Sequence, residues 1–79
     1  MMINVTLATT AGKSHVTAEG NQTPSEVLAE NNVATTGATI SMNMRPLSAA
    51  ELIDTFEDLG CNDGDSTMLS AVVKANSAF

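Results

Sequence analysis

Near its C-terminal end the chain carries a nearly continuous apolar run, Thr67 to Ala75, which includes Met68, Leu69, Ala71, Val72 and Val73. Turn chemistry at Asn62-Asp63-Gly64-Asp65 bounds it on one side. A run of that length reads as a strand buried on both faces. With 79 residues there is room for one core only. The run is therefore predicted to lie in the middle of a sheet, and the rest of the chain has to assemble around it.

What precedes it alternates between strands and helix starts. Ile3, Val5 and Leu7 fall on one face and Asn4, Thr6 and Ala8 on the other, the period of a half-buried strand. Thr9 to Lys13 supplies a small-residue turn with Gly12 available for positive φ, and Ser14 to Ala18 returns through Val16 as a second strand. Thr23-Pro24-Ser25-Glu26 has the form of a capping box with proline at the first helical position, so a helix runs from about Pro24 to Asn31 with Val27 and Leu28 inward. Thr39 to Met44 alternates again, placing Ile40, Met42 and Met44 on one side, and Arg45-Pro46 stops it. Ser48-Ala49-Ala50-Glu51 is a second capping box, with Leu47 positioned to pack on Leu52. A second helix is predicted from Ala49 to a Gly60 cap, carrying Leu52, Ile53, Phe56 and Leu59 inward and Glu51, Asp54, Glu57 and Asp58 outward. The element order is strand, strand, helix, strand, helix, strand. This is an α+β domain over residues 1–75, a mixed sheet with a helix across one face and the last strand beside the first, followed by a short tail at 76–79.

Composition narrows the function. Nine acids against three bases give a net charge of −6, which repels nucleic-acid phosphate and anionic lipid. Direct nucleic-acid and membrane binding are not expected. A hydrophobic share of 43% is too high for a disordered chain, yet no stretch reaches the roughly 18 uncharged apolar residues of a membrane span. One cysteine and the absence of a secretory start point to the cytoplasm. No cofactor is expected, and no residue set suggests catalysis. His15 lacks the orienting acid and oxyanion hole of a triad and reads as an exposed hairpin residue. Cys61 follows a helix C-terminus among six acids, which disfavours a thiolate, and reads as packing. Asp58, Asn62, Asp63 and Asp65 miss the spacing of a calcium loop and read as a turn. Met42, Met44 and Met68 read as core filler before they read as a soft binding surface.

In this order of elements the chain resembles the β-grasp superfamily, which includes ubiquitin, the thiamine and molybdopterin sulfur carriers and bacterial ubiquitin-like proteins. Three places carry the resemblance: the hairpin Ile3-Asn4-Val5-Thr6-Leu7 through Gly12-Lys13 into Val16, the helix at Pro24, and Gly64-Asp65 before the last strand. Sulfur carriers and conjugated modifiers of this superfamily end in Gly-Gly, whereas this chain ends Asn76-Ser77-Ala78-Phe79. The resemblance then implies a non-catalytic protein-interaction module. Its expected docking surfaces are the sheet face or the acidic set Glu51, Asp54, Glu57 and Asp58, and the expected partner of the acids is a protein with a basic surface. Two further readings are a sulfur carrier or modifier acting with an adenylating enzyme, and an acidic nucleic-acid-mimic inhibitor from a mobile element.

Overall fold

The computed structural model describes residues 1–73. β1 (Met2–Thr9) and β2 (Gly12–Glu19) form an antiparallel hairpin whose register runs unbroken from Met2 opposite Glu19 to Thr9 opposite Gly12. Gly12 closes the turn at φ +125°, a conformation that side-chain-bearing residues rarely adopt. α1 (Pro24–Glu30) starts on the capping box read from the sequence. Thr23 Oγ1 accepts from the Glu26 N–H, Glu26 Oε1 accepts from the Thr23 N–H, both at 3.1 Å, and Val27 and Leu28 are buried.

β3 (Ala38–Met42) is followed by a strand that sequence reasoning treated as a stop, β4 (Arg45–Pro46). Asn43 and Met44 join the two in a two-residue turn with both φ positive, at 52° and 72°. Such a turn matches the twist of the flanking strands. Pro46 is tolerated because it lies on the sheet edge. The Leu47 N–H donates to Ile40 C=O, and bonded pairs alternate along the ladder, so the nitrogen of Pro46 faces away from β3. α2 (Ala49–Leu52) and β5 (Ser66–Val73) complete the chain.

The strand order is β2-β1-β5-β3-β4, with β5 parallel to β1 and antiparallel to β3. The C-terminal apolar run thus occupies the middle of a mixed sheet beside the first strand, as its composition predicts. The expectation of burial on both faces is corrected. Thr67, Leu69 and Ala71 are buried on the core side, whereas Met68 and Ser70 are half-buried and Val72 is 56% exposed. The buried cluster holds its helical residues, Val27 and Leu28, on one face of the sheet, and the other face is open. The expected end of this strand at Ala75 and the tail at 76–79 lie outside the described residues.

The core joins Ile3, Val5 and Leu7 to Val27 and Leu28 of α1, to Ile40 and Met42 of β3, to Leu69 and Ala71 of β5, and to Phe56. Thr67 is the polar exception. Its hydroxyl is buried and has no hydrogen-bond partner among the described residues. Burying an unpaired hydroxyl costs about 1 to 3 kcal/mol. Thr67→Val keeps the shape and removes the oxygen, so it is expected to stabilise the domain by about 1 kcal/mol in urea denaturation with an unchanged slope. An unchanged or lowered midpoint would show that the oxygen is satisfied in solution.

Candidate functional site

The segment that carries the four acids and the face of the sheet opposite α1 are the surfaces that bear on the sequence expectations.

The acids do not share one helical face. α2 stops at Leu52, well short of the predicted Gly60, because tertiary hydrogen bonds take over the backbone that a longer helix would use. The Phe56 N–H donates to Gln22 C=O and the Glu57 N–H to Gly20 C=O, both at 3.0 Å, and the Asp58 N–H is capped by Thr55 Oγ1 at 3.1 Å. Phe56 is fully buried, while Ile53, expected inward, is 71% exposed. Glu51 remains on α2 but is already committed. Its carboxylate closes the capping box on the Ser48 N–H at 3.0 Å and pairs with Arg45 Nη1 at 2.9 Å. Asp54, Glu57 and Asp58 lie beyond the helix and are exposed, with no ion pair among the described residues.

The hydrogen bond from the Ser48 N–H, followed by that from Arg45, holds the Glu51 carboxyl below the ordinary glutamate range. A carboxyl lowered by folding contributes stability above its unfolded value, and that contribution is lost as pH falls through the lowered one. Wild type is therefore expected to unfold at higher urea than Glu51→Gln at neutral pH, with the gap closing in acid. A gap independent of pH would remove the assignment.

The open sheet face is built from alternate strand residues. Asn4, Thr6 and Ala8 of β1 stand beside Thr17, His15 and Lys13 of β2, and beside Ser66, Met68 and Ser70 of β5. Thr6 Oγ1 and His15 Nδ1 lie 3.0 Å apart. Two shallow depressions of about 550 and 530 Å³ share Thr6, His15 and Ser66, and the second reaches Lys13, Asn43 and Met68. Asn43 is fixed there by a reciprocal pair. Its N–H donates to Met68 C=O and its Oδ1 accepts the Met68 N–H, both at 2.9 Å. Sequence reasoning missed Asn43 because the turn it opens has Met44, not glycine, in second place.

The remaining candidates fall where their chemistry suggests. His15 is exposed on the hairpin. Cys61 is half-buried against the core, and burial, followed by the Asp65 charge, pushes its thiol up and away from the thiolate. Asp63 and Asp65 are turn residues, accepting the Met2 and Asn62 N–H groups at 2.8 Å. The three methionines separate: Met42 is core, Met68 is half-buried on the open face, and Met44 is 81% exposed at the turn.

Solved structures of ubiquitin and ubiquitin-like domains superpose on this architecture. The archaeal ubiquitin of Caldiarchaeum subterraneum superposes with a TM-score of 0.66 at 14% identity, covering 99% of this chain and 100% of its own. A ubiquitin-like domain of an Arabidopsis thaliana protein gives 0.70 at 12% identity, with 99% of this chain and 83% of that one covered. The chain has the ubiquitin-like β-grasp fold. The ubiquitin-like domain of Plasmodium falciparum Dsk2 is similar as well, with a TM-score of 0.59, 22% identity, and coverage of 90% and 99%. No protein-family model and no curated protein sequence matches the chain. At these identities the likeness is one of β-grasp architecture, which the opening hairpin, the capped first helix and the central last strand produce here from a different set of side chains.

Proposed function

We propose that this chain is a non-enzymatic ubiquitin-like module that docks on another protein. The observation that carries the reading is the β-grasp fold itself, which ubiquitin-like proteins and domains share over nearly the whole chain. The docking surface we favour is the segment after α2, where Ile53 is 71% exposed and Asp54, Glu57 and Asp58 follow within five residues. An exposed apolar side chain followed in sequence by three exposed carboxylates suits a partner with a basic surface beside an apolar recess, because the charges orient association and the buried side chain slows release. Glu51 is excluded from the set because Ser48 and Arg45 already hold it.

The test is affinity capture with the wild type, with Asp54→Asn/Glu57→Gln/Asp58→Asn, and with Ile53→Ser, each checked for unchanged folding by circular dichroism. A protein retained by wild type and lost from both variants supports the docking surface. Retention equal in all three moves docking to the open sheet face, where Met68→Glu then has to abolish it. If wild type retains nothing, the module reading is wrong.

A further inference from the structure

The sheet has two edges of unequal kind. β4 is two residues long and contains Pro46, whereas β2 is eight residues long, without proline and without a bulge in its pairing to β1. An edge of the second kind presents unpaired backbone groups to any strand that can approach.

The hydrogen-bond inventory shows how much of that edge is free. The Gly20 N–H donates to Met1 C=O, and bonded pairs alternate along an antiparallel ladder. Ala18, Val16 and Ser14 therefore point their N–H and C=O groups at β1, and Glu19, Thr17, His15 and Lys13 point theirs outward. Glu19 is closed by Gln22: Gln22 Oε1 accepts the Glu19 N–H at 2.8 Å, and the Gln22 N–H donates to Glu19 C=O at 3.0 Å. Lys13, His15 and Thr17 remain, a run symmetric about His15, each with one donor and one acceptor free among the described residues.

We propose that two copies of this chain pair antiparallel along β2, about a two-fold axis at His15, to form one sheet continuous across both. In this register each Lys13 lies opposite Thr17 of the second copy and the two His15 lie opposite one another. Every free donor and acceptor of the run meets its counterpart. Sliding the register so that Lys13 lies opposite Glu19 would put its backbone where Gln22 sits, and sliding it the other way would set Thr17 opposite Ala11 of the turn, so only the register about His15 pairs the whole run.

Charge supports the same seam. The chain holds nine acids, yet none lies between Gly12 and Ala18, where Lys13 and His15 are found. Glu19, with its side chain 58% exposed and 4.0 Å from the Met1 amine, lies on the same face of β2 as Lys13. In the proposed register Lys13 of one copy is the diagonal neighbour of Glu19 of the other, a spacing that long side chains bridge. Two copies of a −6 chain thus meet along a stretch that brings opposite charges together. A seam of one strand pair falls below the roughly 1,200 Å² at which standard interfaces begin, so association belongs to the weak, reversible class.

The test is sedimentation velocity of the full chain from micromolar to millimolar concentration, with amide NMR shifts recorded over the same range. The expected result is a concentration-dependent dimer whose shifts concentrate at Lys13, His15 and Thr17 and spare Ser14, Val16 and Ala18. Thr17→Pro removes only an outward N–H and is expected to weaken dimerisation about tenfold or more. Lys13→Glu is expected to weaken it as well, and Lys13→Glu/Glu19→Lys to restore it. A monomer at every concentration overturns the proposal. So does a dimer indifferent to both Thr17→Pro and Lys13→Glu, or one whose shifts map to the open sheet face or to Ile53.

Discussion

Phe56→Ala is expected to remove a large part of the domain's stability. Phe56 is fully buried and, among the described residues, is the only aromatic in the core cluster, which is otherwise built from Ile, Val, Leu, Met and Ala. Truncating a buried Phe costs about 3 to 5 kcal/mol, the transfer of the ring plus the cavity it leaves. Native stability runs at roughly 0.05 to 0.15 kcal/mol per residue, or about 4 to 12 kcal/mol for 79 residues. The loss is therefore comparable with the whole stability at the lower end of that range. It would also loosen more than the ring, because the Phe56 N–H to Gln22 C=O bond, at 3.0 Å, ties the segment to the loop before α1, and the Cys61 N–H to Phe56 C=O bond, at 2.9 Å, closes the segment on itself. Urea denaturation followed by circular dichroism measures the loss, and amide exchange at Glu57 and Cys61 should accelerate before global unfolding. Phe56→Leu, which keeps much of the volume, should retain a cooperative transition. A loss of less than about 1 kcal/mol in Phe56→Ala would mean that the segment after α2 is not packed beneath the sheet.

The same residue shows where the sequence was legible and where it was not. Features encoded by neighbours along the chain were readable. The Thr23 and Ser48 caps, the Gly12 turn and the alternation of Ile3, Val5 and Leu7 each depend on a few adjacent residues, and each is found in place. The position of β5 beside β1 followed from its apolar run in a chain with room for one core. The second helix failed because Leu52, Phe56 and Leu59 have helical spacing, while the acceptors that end the helix, Gln22 and Gly20 C=O, lie more than thirty residues away in sequence. Periodicity carries no information about such partners. Ile53 registers the difference: a continuous helix would bury it beside Leu52, and the chain instead leaves it exposed. Because the acidic set was defined by that helical face, its membership changed with the helix. Glu51 is held by Arg45, and Asp54, Glu57 and Asp58 stay exposed beyond the helix.

The turn at Asn43-Met44 yields a pair of opposite effects. Asn43 performs two tasks: it adopts φ +52°, which Asn tolerates better than most residues, and its Oδ1 accepts the Met68 N–H across the sheet. Asn43→Ala removes the acceptor and adds left-handed strain, for an expected loss of about 2 kcal/mol. Asn43→Gly removes the acceptor alone, since glycine takes positive φ freely, and is expected to cost about 1 kcal/mol. The difference between the two isolates the backbone contribution. Met44 behaves in the opposite sense. It is held at φ +72° with its side chain 81% exposed, so it contributes strain with little burial to offset it. Met44→Gly creates the Asn-Gly pair that this turn type favours and is expected to stabilise the domain by about 1 kcal/mol. Denaturation midpoints of the three variants should rank Met44→Gly above wild type, then Asn43→Gly, then Asn43→Ala. If Met44→Gly fell below wild type, the exposed methionine would be making a contact that offsets its strain, and the sheet edge at β4 would need a partner of its own.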